Sequence, residues 1–124
     1  MSTVLVVDDH PDLGTALVRL LKLSGHDAVA VMDGESALAF VHSTPPSMVI
    51  LDAMMPGLSG YDVLAALRAD PTTKALPVVM FSALSGAHAR LKAMELGAQD
   101  YLVKSVATYD DVAAAVERFV RPPS

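Results

Sequence analysis

Val4-Leu5-Val6-Val7-Asp8-Asp9 is four apolar residues in unbroken succession followed by two acids. An unbroken apolar run suits a strand covered on both faces, whereas alternation marks a half-exposed sheet. Four more such runs follow: Ala28-Val29-Ala30-Val31-Met32, Met48-Val49-Ile50-Leu51, Val78-Val79-Met80-Phe81 and Tyr101-Leu102-Val103. The intervals between them carry helical spacing. Leu13, Ala16, Leu17, Leu20 and Leu21 share one helix face, with Pro11 in the first turn and Gly25 just past the end. A second helix over Glu35 to Val41 turns Ala37, Leu38 and Val41 inward, and Pro45-Pro46 prevents its continuing. A third opens at Ser59 with Asp62 in capping-box spacing, buries Val63, Leu64 and Leu67, and stops before Pro71. A fourth, with weaker periodicity, is expected to bury Ala87, Leu91 and Met94 and to end at Gly97. A fifth starts at Thr108 with Asp111 as its third residue, and carries Val112, Val116, Phe119 and Val120 inward.

Strict alternation of strand and helix implies an α/β fold: a doubly wound parallel sheet with right-handed crossovers and helices on both faces. The 124 residues make one domain and can bury a core without staples. We place that domain at residues 1–121, with 122–124 as a tail or the start of a linker. There is no cysteine, so disulfides and thiolate chemistry are excluded. Net charge is −5, the wrong sign for a nucleic-acid footprint, and the apolar runs are too short to span a membrane. Met1-Ser2-Thr3 leads straight into an apolar strand without a basic segment, so a cytoplasmic setting is expected.

In open α/β sheets the site lies beyond the carboxyl ends of the strands. Strand one ends in Asp8-Asp9, strand three in Asp52, strand four in Ser82 and strand five in Lys104. Crowded carboxylates cannot all stay ionised unless a cation offsets them. Oxygen donors favour a hard ion such as Mg²⁺. The formal charge then closes: −3 from the acids, +2 from the ion, +1 from Lys104. A carboxylate oxygen there can attack phosphorus while the two cations neutralise the equatorial oxygens. Singly, each acid reads as an ordinary cap or turn residue; four of five strand ends together supply the parts of one phosphoryl-transfer site.

These residues resemble the receiver domain of two-component response regulators. The matching segments are Val4 to Asp9, Val49-Ile50-Leu51-Asp52-Ala53-Met54-Met55-Pro56-Gly57, Gly60, Phe81-Ser82-Ala83 and Gly97-Ala98-Gln99-Asp100-Tyr101-Leu102-Val103-Lys104. The resemblance implies a flavodoxin-like sheet of strand order 2-1-3-4-5. It makes Asp52 the phosphoacceptor, Asp9 the direct Mg²⁺ ligand, Asp8 the acid that holds the metal partly through water, and the Met54 carbonyl the third protein ligand. Ser82 becomes the hydroxyl that bonds the phosphoryl group, Lys104 its counter-charge, and Tyr101 the aromatic switch that turns inward on activation. The implied phosphodonor is a sensor histidine kinase or a histidine phosphotransfer protein. The output is a protein surface around helix four, strand five and helix five, where a homodimer could also form. Such a domain modifies itself and is not a turnover enzyme.

Phosphorylating Asp52 would add about one negative charge and three acceptor oxygens. Ser82 moving toward the new group would leave a space that Tyr101 can fill, coupling charge to surface. The resemblance also marks Met54 and Leu84 as positions that tune loss of the phosphoryl group. Neither orients water by hydrogen bonding, so slow loss is expected.

One departure stands out. Ser105 follows Lys104 where the family usually has Pro after a cis bond. A cis bond before Ser costs about 2.5–4 kcal/mol, so either a trans bond or strain is expected, with the reach of Lys104 in question. That departure leaves a pseudo-receiver, a phosphorylation-independent interaction module, as the rival reading. A flavin binder is disfavoured by the acidic site, and an Asp-nucleophile phosphatase by Met54 where a second Asp would stand. His10, His26, His42 and His88 lack metal-ligand spacing and read as surface residues, with His10 on the rim of the site.

Overall fold

The computed structural model describes residues 3–120; the expected tail at 122–124 lies outside them. Five strands and five helices alternate without exception: β1 (Thr3–Val7), α1 (Pro11–Leu23), β2 (Asp27–Val31), α2 (Gly34–Ser43), β3 (Met48–Leu51), α3 (Gly60–Ala69), β4 (Val78–Ser82), α4 (Ala87–Glu95), β5 (Asp100–Val103) and α5 (Tyr109–Phe119). All strand pairs are parallel and the sheet order is β2-β1-β3-β4-β5, the flavodoxin-like arrangement. None of the described helices is long and apolar enough to cross a membrane.

The two-residue period of the strands sorts their side chains into two cores. Leu5, Val7, Val49, Leu51, Val78 and Met80 face α2, α3 and α4, joining Ala37, Val41, Val63, Leu64 and Leu67. Val4, Val6, Met48, Ile50, Val79 and Phe81 face α1 and α5, joining Leu17, Leu21, Val112 and Val116. Each fully buried Leu, Val or Ile stabilises the fold by about 1.5–3 kcal/mol relative to exposure. The caps sit where the sequence places them. Ser59 and Thr108 form complete capping boxes with Asp62 and Asp111. Pro11 starts α1, and Gly25 follows its end at φ 93°.

Two expectations fail. The helix α4 does not bury Ala87, Leu91 and Met94; it buries Ala89 and Ala93, leaving Leu91 57% and Met94 37% exposed. Ala89 and Ala93, four residues apart, share the helix face that joins the core. Second, β2 is not covered on both faces. It is an edge strand whose only fully buried residue is Ala28, and Met32 lies beyond its end, exposed. Apolar content alone does not distinguish an edge strand from a central one.

The order reverses at β1, which pairs with β2 on one side and β3 on the other. The connections leave the sheet in opposite directions there, opening a crevice at the carboxyl ends of β1 and β3. Asp8, Asp9 and Asp52 follow those two strands directly.

Candidate functional site

The backbone extends the sheet ladder just far enough to fix the acids. Asp8 N–H donates to the Val31 carbonyl at 3.1 Å, and Asp52 N–H to the Val7 carbonyl at 2.9 Å. Asp8 and Asp52 are therefore buried, 4% and 3% exposed, at the floor of the crevice. The amino end of α3 closes directly against them: Gly60 N–H donates to the Ala53 carbonyl at 3.0 Å. A Cβ on Gly60 would stand 2.0 Å from the Asp52 carbonyl oxygen, so only glycine fits there.

Lys104 arrives from the opposite side of the switch point. Its N–H donates to the Ser82 carbonyl at 2.8 Å, continuing the β4–β5 pairing by one residue. Its Nζ lies 2.7 Å from Asp8 Oδ2 and 3.1 Å from Asp52 Oδ2, with the Phe81 ring 5.9 Å below. No peptide bond among the described residues is cis, so the Lys104–Ser105 bond is trans and the lysine reaches both acids regardless. Burial is the largest single influence on this ammonium and pushes its pKa down. The hydrogen bond to Asp8 and the charge of Asp52 outweigh it, and the pKa stands above its ordinary 10.5.

Asp52 and Asp8 are each oriented at both oxygens. Asp52 Oδ1 accepts from Met54 N–H at 3.1 Å while Oδ2 takes Lys104. Asp8 Oδ1 accepts from His10 N–H at 2.9 Å while Oδ2 takes Lys104. Asp9 Oδ1 differs: it is buried and accepts no hydrogen bond. A buried carboxylate oxygen without a donor is suited to a cation. Ligand atoms of Asp8, Asp9, His10 and Asp52 all lie within 4.8 Å of one another. Three carboxylates dominate this set, which fits a hard divalent ion such as Mg²⁺. The Met54 side chain is 55% exposed, so only its backbone belongs to the floor of the site.

Ser82 is fully buried at the end of β4, and among the described residues no hydrogen bond joins it to the acids. Its Oγ accepts from Leu84 N–H at 3.3 Å. The Leu84 carbonyl in turn accepts from the Tyr101 hydroxyl at 2.6 Å. Tyr101 is 4% exposed, facing inward from β5, and its own carbonyl accepts from Arg90 Nη1 at 3.2 Å. Ser82 and Tyr101 are thus joined through one residue of the β4–α4 loop.

Two residues that the sequence did not single out, Tyr61 and Arg90, belong to the surroundings, and Leu84 takes part through its backbone. Tyr61 lies beside Tyr101 and donates to the Ala89 carbonyl at 3.3 Å, tying α3 to α4. Burial, with Tyr101 adding to it, pushes its phenol up to about 12. Its helical position offers no distinguishing signal, because a tyrosine beside an apolar face reads as packing. Arg90, which reaches Tyr101, carried no signal either. Leu84 acts through its backbone, which side-chain chemistry does not report. His26 also departs from its surface reading: it is half-buried, with Nε2 2.7 Å from Glu117 Oε1.

The family model of the response regulator receiver domain matches residues 4–117. Over 109 residues the chain is 39% identical to the response regulator PleD of Caulobacter vibrioides, covering 88% of this chain and 23% of that protein. Over 118 residues it is 37% identical to the DNA-binding response regulator MtrA of Mycolicibacterium smegmatis, covering 95% of this chain and 50% of that one. The chain thus spans between about a quarter and a half of the length of these relatives. Among solved structures, the receiver domain of the Francisella response regulator 1452 superimposes with a TM-score of 0.89 at 27% identity, covering 97% of both chains. With this match running from β1 into α5, and with the acids, hydroxyl and lysine at the strand ends, the chain belongs to the response regulator receiver domain family.

Proposed function

We propose that this chain takes a phosphoryl group from a phosphohistidine onto Asp52 and thereby switches a protein-binding surface. In this reading residues 1–121 are the receiver unit and 122–124 a tail or linker start. The observation that carries it is the Lys104 ammonium held between Asp8 and Asp52. Met54 N–H and Lys104 orient the Asp52 carboxylate. One of its oxygens attacks phosphorus, the P–N bond breaks, and the donor imidazole leaves with the electron pair. Lys104 offsets charge on the transferred oxygens, and the Ser82 hydroxyl donates to one of them. Asp8, Asp9, Asp52 and the Met54 carbonyl would hold Mg²⁺, which supplies charge neutralisation at the phosphoryl oxygens when bound. The domain modifies itself once and loses the group by hydrolysis, so it is a switch and not a turnover enzyme.

The donor is a sensor histidine kinase or a histidine phosphotransfer protein, which implies a cytoplasmic setting. The output is a protein contact on the face of α4, β5 and α5, with a homodimer there as one form it could take. Tyr101 would couple the two, because Ser82 cannot move toward a phosphoryl group without disturbing Leu84 and the hydroxyl bonded to it.

Incubation with Mg²⁺ and acetyl phosphate, followed by intact-mass measurement, tests this. One phosphoryl group on the parent and none on Asp52→Asn is expected. Equal labelling of the two, or a parent labelled neither by acetyl phosphate nor by a phosphorylated histidine phosphotransfer protein, would overturn it.

A further inference from the structure

We propose that His10 is itself a ligand of the cation held by Asp8, Asp9 and Asp52, and biases the site toward late divalent transition ions over Mg²⁺. This rests on the receiver reading of the site and extends it by one residue. His10 Nδ1 lies 2.8 Å from Asp8 Oδ1 and 3.2 Å from Asp9 Oδ1. Neighbouring donors on an octahedral ion with bonds near 2.1 Å stand about 3.0 Å apart. The contact with Asp8 is a hydrogen bond as the site stands, and the same spacing from both acids is that of an adjacent ligand once the ring nitrogen turns its lone pair to the ion.

The local backbone brings it there. His10 is the N-cap residue of α1, with φ −95° and ψ 105°, yet its side chain makes no capping hydrogen bond. Its N–H instead donates to Asp8 Oδ1, folding the segment so that the ring returns over the acids. The ring is 67% exposed, on the open side of the site, so ligation displaces no core packing. Asp9 Oδ1, the same oxygen that lies 3.2 Å from the ring nitrogen, is buried and accepts no hydrogen bond, so it has lone pairs available.

The donor set is then one nitrogen with three carboxylates. Mg²⁺ keeps to oxygen donors and water, whereas imidazole suits Ni²⁺, Zn²⁺ and their neighbours. All-oxygen sites already bind late ions more tightly in the usual order, so the quantity that identifies His10 is the change in selectivity when its ring is removed. A histidine that only orients Asp8 by hydrogen bonding would support every ion to a similar degree.

The experiment uses the full chain and titrates Mg²⁺ and Ni²⁺ by calorimetry, counting only the Ni²⁺ that excess Mg²⁺ displaces. In His10→Ala, Ni²⁺ affinity is expected to fall about ten-fold or more and Mg²⁺ affinity much less. Pulsed EPR of the Mn²⁺-loaded parent is expected to show nitrogen coupling that persists in His26→Ala and vanishes in His10→Ala. His10→Gln, which keeps a polar side chain of similar reach, controls for any loss of folding. Equal losses for both ions, or an Mn²⁺ spectrum without nitrogen coupling in the parent, would overturn the ligand role while leaving the carboxylate site intact. A folded parent that binds none of these ions would overturn the cation site and this proposal together.

Discussion

The Tyr101 hydroxyl donates to the Leu84 carbonyl at 2.6 Å, across the gap between β5 and the β4–α4 loop. Leu84 also donates its own N–H to Ser82 Oγ, so one loop residue carries hydrogen bonds to both proposed switch residues. Under the proposed function, this arrangement would convert a small displacement at Ser82 into a change at the base of α4.

Tyr101→Phe removes the donor and leaves a carbonyl short of a partner. A stability loss of about 1–2 kcal/mol is expected, read from the urea unfolding midpoint. The more specific expectation concerns coupling. Phosphorylation of this variant should shift the amide resonances of Ser82 and Leu84 as in the parent, but those of α4 much less. Equal shifts along α4 would show that the signal travels by another route.

Lys104→Met leaves Asp8 and Asp52 facing each other without their cation. Breaking a buried pair in this way costs about 3–5 kcal/mol, so a lower midpoint at neutral pH is expected, partly restored by added Mg²⁺. Phosphorylation should also slow sharply. The pH dependence follows from the raised pKa of Lys104. Its stabilising contribution is complete below about 10.5 and is lost as pH rises through the higher value of the folded state. The parent should therefore lose more stability than the variant as pH rises above about 10.5, a difference measured by thermal unfolding along that rise.

Arg68 ties together the end of the molecule opposite the site. Its Nε and Nη2 donate to the Gly97 carbonyl at 3.1 and 2.9 Å, and its Nη1 to the Lys74 carbonyl at 3.1 Å. Arg68→Ala should cost about 2–4 kcal/mol, because several carbonyls lose a charged donor together. Arg68→Lys should recover little, since an ammonium cannot reproduce the planar fork. Acetyl phosphate labelling of folded Arg68→Ala should match the parent, which separates this structural role from the site.

Met54 follows Asp52 by two residues, and its exposed side chain offers water no hydrogen bond. Slow loss of the phosphoryl group is expected in the parent. Met54→Gln should accelerate it by about five-fold, the equivalent of one hydrogen bond of about 1 kcal/mol to the attacking water. Intact mass followed over time after removal of phosphodonor measures both rates. Rapid loss from the parent would refute the reading of Met54 and Leu84.

Much of this molecule is written locally. Val4 to Val7, Met48 to Leu51 and Val78 to Phe81 are strands because their apolar runs can be satisfied only by cover on both faces. Ser59 with Asp62, and Thr108 with Asp111, mark helix starts because capping depends on neighbours three residues apart. Asp8, Asp9, Asp52, Ser82 and Lys104 are legible as one group because a parallel sheet places all strand ends at one edge, whatever the details of packing.

Other features depend on distances between residues far apart in the chain. Leu91 and Met94 look like core, yet α4 buries Ala89 and Ala93, because the connections to β4 and β5 decide which face turns inward and weak local periodicity does not. The reach of Lys104 past a trans bond to Ser105 depends on where the β4–β5 pairing ends. The Ser82–Leu84–Tyr101 connection uses backbone groups, which every residue possesses and no residue type announces. His10 is different, because its contacts are with Asp9 and Asp8, one and two residues back. Its sequence position puts it on the rim, but only the turn made by its own N–H against Asp8 brings the ring within 3.2 Å of both acids. The sequence by itself determined the elements and the chemical inventory of the site, because those rest on local periodicity and on the strand-end rule. Orientation, hydrogen-bond connectivity and the donor set around the acids were decided by the tertiary structure, because they rest on ångström-scale contacts between segments separated by up to a hundred residues.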